Sequence, residues 1–232
     1  MIAPTIVFDL DGTLVDTAPD LVDTLNVILG REGLPPVGYD AARNMVGGGA
    51  RRMIERGLAA EGVQFAPPKI DALFRDFIDH YAAHIADRSR VFPGVETALD
   101  ELAARGCRFA VCTNKLEWLS VRLLGELGLA PRFAAICGAD TFAVNKPDPE
   151  MLRQTIARAG GQSGHAVMVG DSATDVTTAR AARIPVVAVD FGYTDVPMAT
   201  LGPARAISGF AYLPEAVLDL LAAKIGDLPD HR

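Results

Sequence analysis

Thr5-Ile-Val-Phe8 runs directly into Asp9-Leu-Asp-Gly-Thr13, and the fold is decided at that junction. Three β-branched residues and one aromatic have the length and composition of a short buried strand. The Asp-Gly pair ends it, because both residues favour turns. Two carboxylates, Asp9 and Asp11, therefore stand at the carboxyl end of a strand. On an extended chain residues two apart point the same way, but the turn at Gly12 leaves their relative direction open.

Downstream, residues 19 to 31 read as a helix. Pro19 and Asp20 suit its first turn, and Leu21, Leu25, Ile28 and Leu29 share one face. Residues 34 to 90 contain no strand pattern. Asp40 to Val46 reads as a short helix leading into Gly47-Gly-Gly49, and Ala50 to Ala60 as a second. Ile70, Phe74, Phe77, Ile78, Tyr81 and Ile85 draw one apolar stripe along a longer helix from Pro67. From residue 91 the pattern alternates, with strands expected at 107–112, 133–137, 166–169 and 185–189. Helices are expected at 95–105, 116–127, 149–159, 173–182 and 214–225. Alternation of this kind predicts an α/β fold, a Rossmann-like parallel sheet with helices on both faces. The expected core is residues 1–15 and 90–232, with an all-helical unit, residues 16–89, inserted after the first strand.

The 232 residues fit one large domain or a core with an insert, and an apolar content of 50% excludes wholesale disorder. A net charge of −7 argues against nucleic acid as the main partner, since a phosphate backbone needs a basic face. Apolar runs such as Pro185 to Val189 have strand length, so no membrane span is expected. The start, Met1 to Phe8, lacks a basic n-region. Cys107, Cys112 and Cys137 have no CxxC spacing and read as buried thiols in a reducing compartment. Cytoplasmic residence is the expectation.

Ligands of an open parallel sheet bind beyond the carboxyl ends of its strands. Those ends carry Asp9 to Thr13, Thr113-Asn-Lys115, Lys146-Pro147 and Gly170-Asp-Ser-Ala-Thr-Asp175. Crowded carboxylates repel, and a hard cation such as Mg²⁺, which takes oxygen ligands and substrate phosphate, relieves them. A phosphoryl group needs positive charge and N–H donors; Lys146, Asn114 and the amides of Gly12 and Thr13 are candidates. Of the two leading carboxylates, one can attack phosphorus while the other handles protons.

Taken together and in order, these segments resemble the motifs of the haloacid dehalogenase superfamily of phosphotransferases. Asp9 to Asp16 is similar to its DxDGTLxD motif, Thr113-Asn114 to the second, Lys146 to Pro149 to the third, and Gly170 to Asp175 to GDxxxD. The resemblance implies Asp9 as nucleophile and Asp11 as general acid and base with its backbone carbonyl on the metal. It implies Thr113 and Asn114 on the phosphoryl group, and Lys146 neutralising Asp9 and the phosphate. Asp171 would be a ligand of Mg²⁺, direct or through water, and Asp175 would support its waters. The helical insert resembles the family's C1-type cap, with Gly48 and Arg51 in the loop facing the site. Val46 to Arg51, Thr113 to Lys115 and Gly192-Tyr193 resemble the phosphoglycolate phosphatases. The implied activity is hydrolysis of a small phosphorylated metabolite, 2-phosphoglycolate first, by a monomer or homodimer. A phosphomutase similar to β-phosphoglucomutase, or a phosphatase for a sugar phosphate, pyrophosphate or nucleotide, stays open. A non-catalytic binding module is disfavoured because every key group is present. His80 and His84 read as a helix surface, Arg51 and Arg52 as either carboxylate partners or a solvated face, and Trp118 and the stripe from 74 to 81 as core packing.

Overall fold

A computed structural model describes residues 3–194 and 196–226. In chain order its elements are β1 (Thr5–Phe8), β2 (Val15–Asp16), α1 (Ala18–Arg31), α2 (Tyr39–Arg43), α3 (Ala50–Ala60), α4 (Pro67–Ala83), β3 (Arg90–Val91) and α5 (Val95–Ala104). There follow β4 (Arg108–Cys112), α6 (Glu117–Glu126), β5 (Ala135–Cys137), α7 (Pro149–Arg158), β6 (Ala166–Gly170), α8 (Ala173–Ala182), β7 (Val186–Val189), α9 (Met198–Leu201), β8 (Arg205–Ile207) and α10 (Leu213–Gly226).

The sheet is parallel throughout, in the order β5-β4-β1-β6-β7-β8, with β1 at its centre. β1 is buried along its whole length, and after Thr5 it is apolar at every position. Its alternate residues feed two cores. Ile6 and Phe8 join Phe109, Val111, Val167 and Val169 on the face covered by α5, α6 and α10. Val7 joins Ala110 and Met168 on the face covered by α7 and α8. The first of these cores continues without a break into the helical unit, through Leu25, Ile54, Phe77 and Tyr81. Among the described residues no helix is long and apolar enough to cross a membrane.

The chain visits β4 and β5 on one side of β1, then β6, β7 and β8 on the other. The order of the sheet thus reverses at β1, and the crevice at the carboxyl end of such a switch point is where α/β sheets bind ligands.

Two short segments carry the chain out to the helices and back, and they pair. Val15 lies opposite Val91 and Asp16 opposite Arg90, in an antiparallel ribbon of two residues each. These strands were absent from the sequence expectation, because two residues show no periodicity. β8 was also missed; it is a three-residue edge strand with exposed Arg205 and Ala206. Trp118, expected in the core, is 47% exposed on α6, so that expectation is corrected. On α6 the buried face is formed by Leu119, Ser120, Leu123 and Leu124, one position round from the indole.

Asp20 secures the return crossing. It is buried in the first turn of α1, and its carboxylate accepts from the backbone N–H of Arg88 (3.0 Å) and of Ser89 (2.8 Å) and from the Ser89 hydroxyl (2.6 Å). A buried anion with three donors and a helix N-terminus is well compensated. Removing it orphans all three donors. Asp20→Ala should lower unfolding stability by about 3 kcal/mol. Urea unfolding with an unchanged m-value would register this as a shift in midpoint alone.

Candidate active site

The switch-point crevice gathers side chains from three strand ends and one loop. Asp9 follows β1, Thr113 follows β4, Asp171 follows β6, and Lys146 arrives from the loop before α7. Carboxylate oxygens of Asp9, Asp171 and Asp175 lie within 4.8 Å of one another, and all three residues are buried. The Lys146 ammonium stands among them, 2.8 Å from Asp9 Oδ1 and 2.7 Å from Asp175 Oδ1. Burial works against the charge on Lys146, but Asp175 and Asp9 outweigh it and raise its pKa.

The carboxylates outnumber that ammonium. Burial is the main cause that pushes Asp9 up to about 7, with Asp175 adding and Lys146 opposing. Burial, then the charges of Asp9 and Asp175, push Asp171 up to about 8, against the Tyr193 N–H and the Thr13 hydroxyl. Hard oxygen donors packed this closely suit a cation such as Mg²⁺. Asp9 and Asp171 have lone pairs to offer it. Asp175 is already committed: besides Lys146, it accepts from the Ser172 N–H (3.1 Å) and hydroxyl (2.7 Å), closing a capping box at the start of α8.

Asp171 is held in a slot. Thr13 Oγ1 donates to one of its oxygens (3.1 Å) and the Tyr193 N–H to the other (2.7 Å). Glycines form the walls. A Cβ on Gly12, whose φ is 84°, would meet Asp171 Oδ2 at 2.4 Å, and one on Gly192 would meet Asp171 Cβ at 2.2 Å.

Some residues read from the sequence do different work. The amides of Gly12 and Thr13, expected on phosphate, close the turn instead, donating to Val15 and Leu10 carbonyls (2.9 and 3.3 Å). The expectation for them is corrected; the chain must fold back at once to begin β2. The Asn114 side chain is corrected too. Its carboxamide donates to the Lys146 carbonyl and accepts from the Lys146 N–H, both at 3.1 Å, so it fixes the backbone that delivers Lys146.

Asp11 stands outside the carboxylate cluster. Its Oδ1 is 2.9 Å from Lys115 Nζ, a pair with side chains 12% and 5% exposed. The Lys115 ammonium also lies 4.4 Å from the centre of the Tyr81 ring on α4. Asp9, Asp11, Thr113, Asn114 and Lys115 form the core wall of a cavity of about 170 Å³. Residues of the helical unit, Gly47 to Arg51, Met53, Phe77 and Tyr81, form the facing wall. Gly48 and Arg51 thus line the cavity. The Arg51 guanidinium pairs with Asp71 and lies 5.5 Å over the Phe74 ring. His84 pairs with Asp87 on the surface.

Three residues here escaped the sequence reading of the chemistry: Lys115, Gly192 and Tyr193. The Tyr193 hydroxyl accepts from the N–H groups of Thr17 (2.7 Å) and Ala18 (2.9 Å) and donates to Asp16 (2.7 Å). It caps α1, whose own N-cap side chain makes no such bond. Arg43 on α2 covers its ring at 5.0 Å and donates to the Gly192 carbonyl at 2.8 Å.

The haloacid dehalogenase-like hydrolase family model matches residues 6–189. The chain is similar to the phosphoglycolate phosphatase of Caulobacter vibrioides, 49% identical over 219 residues, covering 94% of this chain and 92% of that one. The phosphoglycolate phosphatase of Agrobacterium fabrum is 48% identical over 96% of each chain. Among solved structures, a predicted phosphoglycolate phosphatase from Haemophilus somnus superposes with a TM-score of 0.85 at 27% identity, over 92% of this chain and 97% of that one. The chain belongs to the haloacid dehalogenase-like hydrolases.

Two outcomes follow from the crowding around Asp171. Folded, metal-free protein holds protons on Asp9 and Asp171 that the unfolded chain releases near pH 4. Their contribution to stability therefore falls as pH rises from about 4 to 8. In chelator, the thermal midpoint should drop across that interval. Gly192→Ala, at a position without positive φ, should displace Asp171 and lower turnover about 100-fold. An unchanged circular dichroism spectrum would separate this from unfolding.

Proposed function

We propose that the chain is a Mg²⁺-dependent phosphatase of small phosphomonoesters, with 2-phosphoglycolate the leading substrate. The observation that carries this reading is Asp9 at the cavity wall, with the Lys146 ammonium on its Oδ1. The names of the relatives at 48 and 49% identity support the substrate. A cavity of about 170 Å³ supports a small ester over a nucleotide.

Asp9 attacks phosphorus, an Asp9–O–P bond forms, and the ester P–O bond breaks. Asp11 gives the leaving oxygen its proton. Asp11 then takes a proton from water as that water attacks the phosphoryl group, releasing phosphate and restoring Asp9. Thr113 turns its hydroxyl to the phosphoryl oxygens; its Oγ already accepts from the Lys115 N–H at 3.1 Å, leaving the O–H as donor. Lys146 neutralises charge on Asp9 and on the phosphoryl group. Asp9 and Asp171, with the Asp11 carbonyl, would hold Mg²⁺, which would supply further charge neutralisation at those oxygens. Asp175 stands behind, fixing Lys146, and would support the metal's waters. The cap wall excludes bulk water from the phospho-enzyme.

Phosphate release from 2-phosphoglycolate, hexose phosphates and pyrophosphate, with Mg²⁺ and with chelator, tests the reading. Metal-dependent turnover that favours 2-phosphoglycolate is expected. Asp9→Asn should reduce that turnover by at least about four orders of magnitude, as removal of a covalent nucleophile does. A peak on another ester would keep the chemistry and discard the substrate. Substantial turnover by a clean Asp9→Asn preparation would discard the nucleophile.

A further inference from the structure

Among the described residues lining the cavity, the cations are Lys115 and Arg51. They differ in kind. The Arg51 side chain is 46% exposed and tied to Asp71. The Lys115 side chain is 5% exposed, and its backbone is pinned at both ends. Its N–H donates to Thr113 Oγ1 at 3.1 Å, and its carbonyl accepts from Ala139 at 2.9 Å. Its ammonium lies between Asp11 and the face of Tyr81. A buried ammonium with three donors, one of them given to Asp11 and with a ring face alongside, retains capacity for another anion.

We propose that Lys115 reads the carboxylate of a phosphorylated 2-hydroxy acid. This rests on the reading above, in which Asp9 takes the phosphoryl group and Asp11 serves the leaving oxygen. In such a substrate, two carbons separate the leaving oxygen from the nearer carboxylate oxygen. The carboxylate therefore sits beside whatever contacts the leaving oxygen. Asp11 makes that contact, and the group 2.9 Å from Asp11 is the Lys115 ammonium. Tyr81 keeps the ammonium from turning away and shields it from water, so the charge acts in a low dielectric. Apart from Arg51 and the Gly47–Gly49 backbone, the facing wall is apolar, with Met53, Phe77 and Ile78, and offers little to the hydroxyls of a sugar. One buried ammonium facing that apolar surface fits a carboxylate on a short chain.

The test compares kcat and KM for 2-phosphoglycolate and ethyl phosphate, which has the same two carbons without the carboxylate. Wild type and Lys115→Met are assayed in Mg²⁺ buffer. Both substrates should suffer in the variant, since Lys115 also orients Asp11. The preference for 2-phosphoglycolate should nevertheless shrink by about 30-fold, mostly through KM, with Lys115→Arg retaining part of it. An equal loss on both substrates would overturn the proposal and leave Lys115 as a positioning residue for Asp11. A wild type with no preference for 2-phosphoglycolate would overturn the substrate reading as well. If Lys115→Met fails to fold, Lys115→Gln takes its place. Wild type alone gives a second measurement: glycolate should inhibit ethyl phosphate hydrolysis at least about tenfold better than its neutral isostere glycolamide. Equal inhibition would count against a carboxylate subsite.

Discussion

The ammonium of Lys146 between Asp9 and Asp175 is the constraint on which the remainder of the site is built. Three buried carboxylates within 4.8 Å of one another cannot all be ionised without compensation. One lysine leaves two formal negative charges over. The fold spends several devices on the balance: the Ser172 capping box on Asp175, the Thr13 hydroxyl and Tyr193 N–H on Asp171, and raised pKa values on Asp9 and Asp171. A phosphate ester brings more negative charge to the same spot. Approach is then favourable only when further positive charge is present, which is why crowded carboxylates and a phosphoryl substrate together point to a divalent cation.

The architecture around that constraint was legible in the sequence where periodicity is strong. β1, the alternation after residue 91 and the helical stretch between them were visible because buried strands and amphipathic helices leave different repeats. The ends of the strands were equally visible as carboxylate, Thr-Asn and Gly-Asp segments. What escaped has a common physical cause. The β2–β3 ribbon and β8 are two and three residues long, too short for any repeat. Lys115 was in view beside Thr113, yet nothing in the local sequence says that its side chain crosses to Asp11, 104 positions away. Gly12 and Gly192 matter through a carboxylate lodged between them, a juxtaposition that only the sheet order creates. The capping box was open to sequence reading, since Ser172 and Asp175 have the required spacing.

The corrections carry the same lesson in reverse. Asn114 and the Gly12-Thr13 amides have the right chemistry to hold a phosphoryl group, and each lies at a strand end. Donors at a sheet rim have two claimants, the ligand and the loop that bears them. Here the turn into β2 takes the amides, and the loop carrying Lys146 takes the Asn114 carboxamide. That loop has no strand or helix to hold Lys146, so a bidentate side-chain clamp on its backbone is a direct means of holding the ammonium among the carboxylates.

Tyr193 joins this centre to the helical unit. Its N–H holds Asp171, and its hydroxyl supplies the acceptor that the first N–H groups of α1 lack. Arg43 then covers the ring from α2 and bonds the carbonyls of Phe191 and Gly192. The slot around Asp171 and the start of the cap are therefore built from one short segment, residues 191–193. Asp20 makes the same kind of connection at the other crossing, tying Arg88 and Ser89 to α1. A helix whose N-terminus is capped by the core, and which itself anchors the returning chain, cannot shift far without loosening the donor on Asp171. The geometry of the carboxylate cluster and the position of the cap wall are in this sense one quantity. The ammonium of Lys115, standing between Asp11 of the core and Tyr81 of the cap, lies where that coupling meets the substrate cavity.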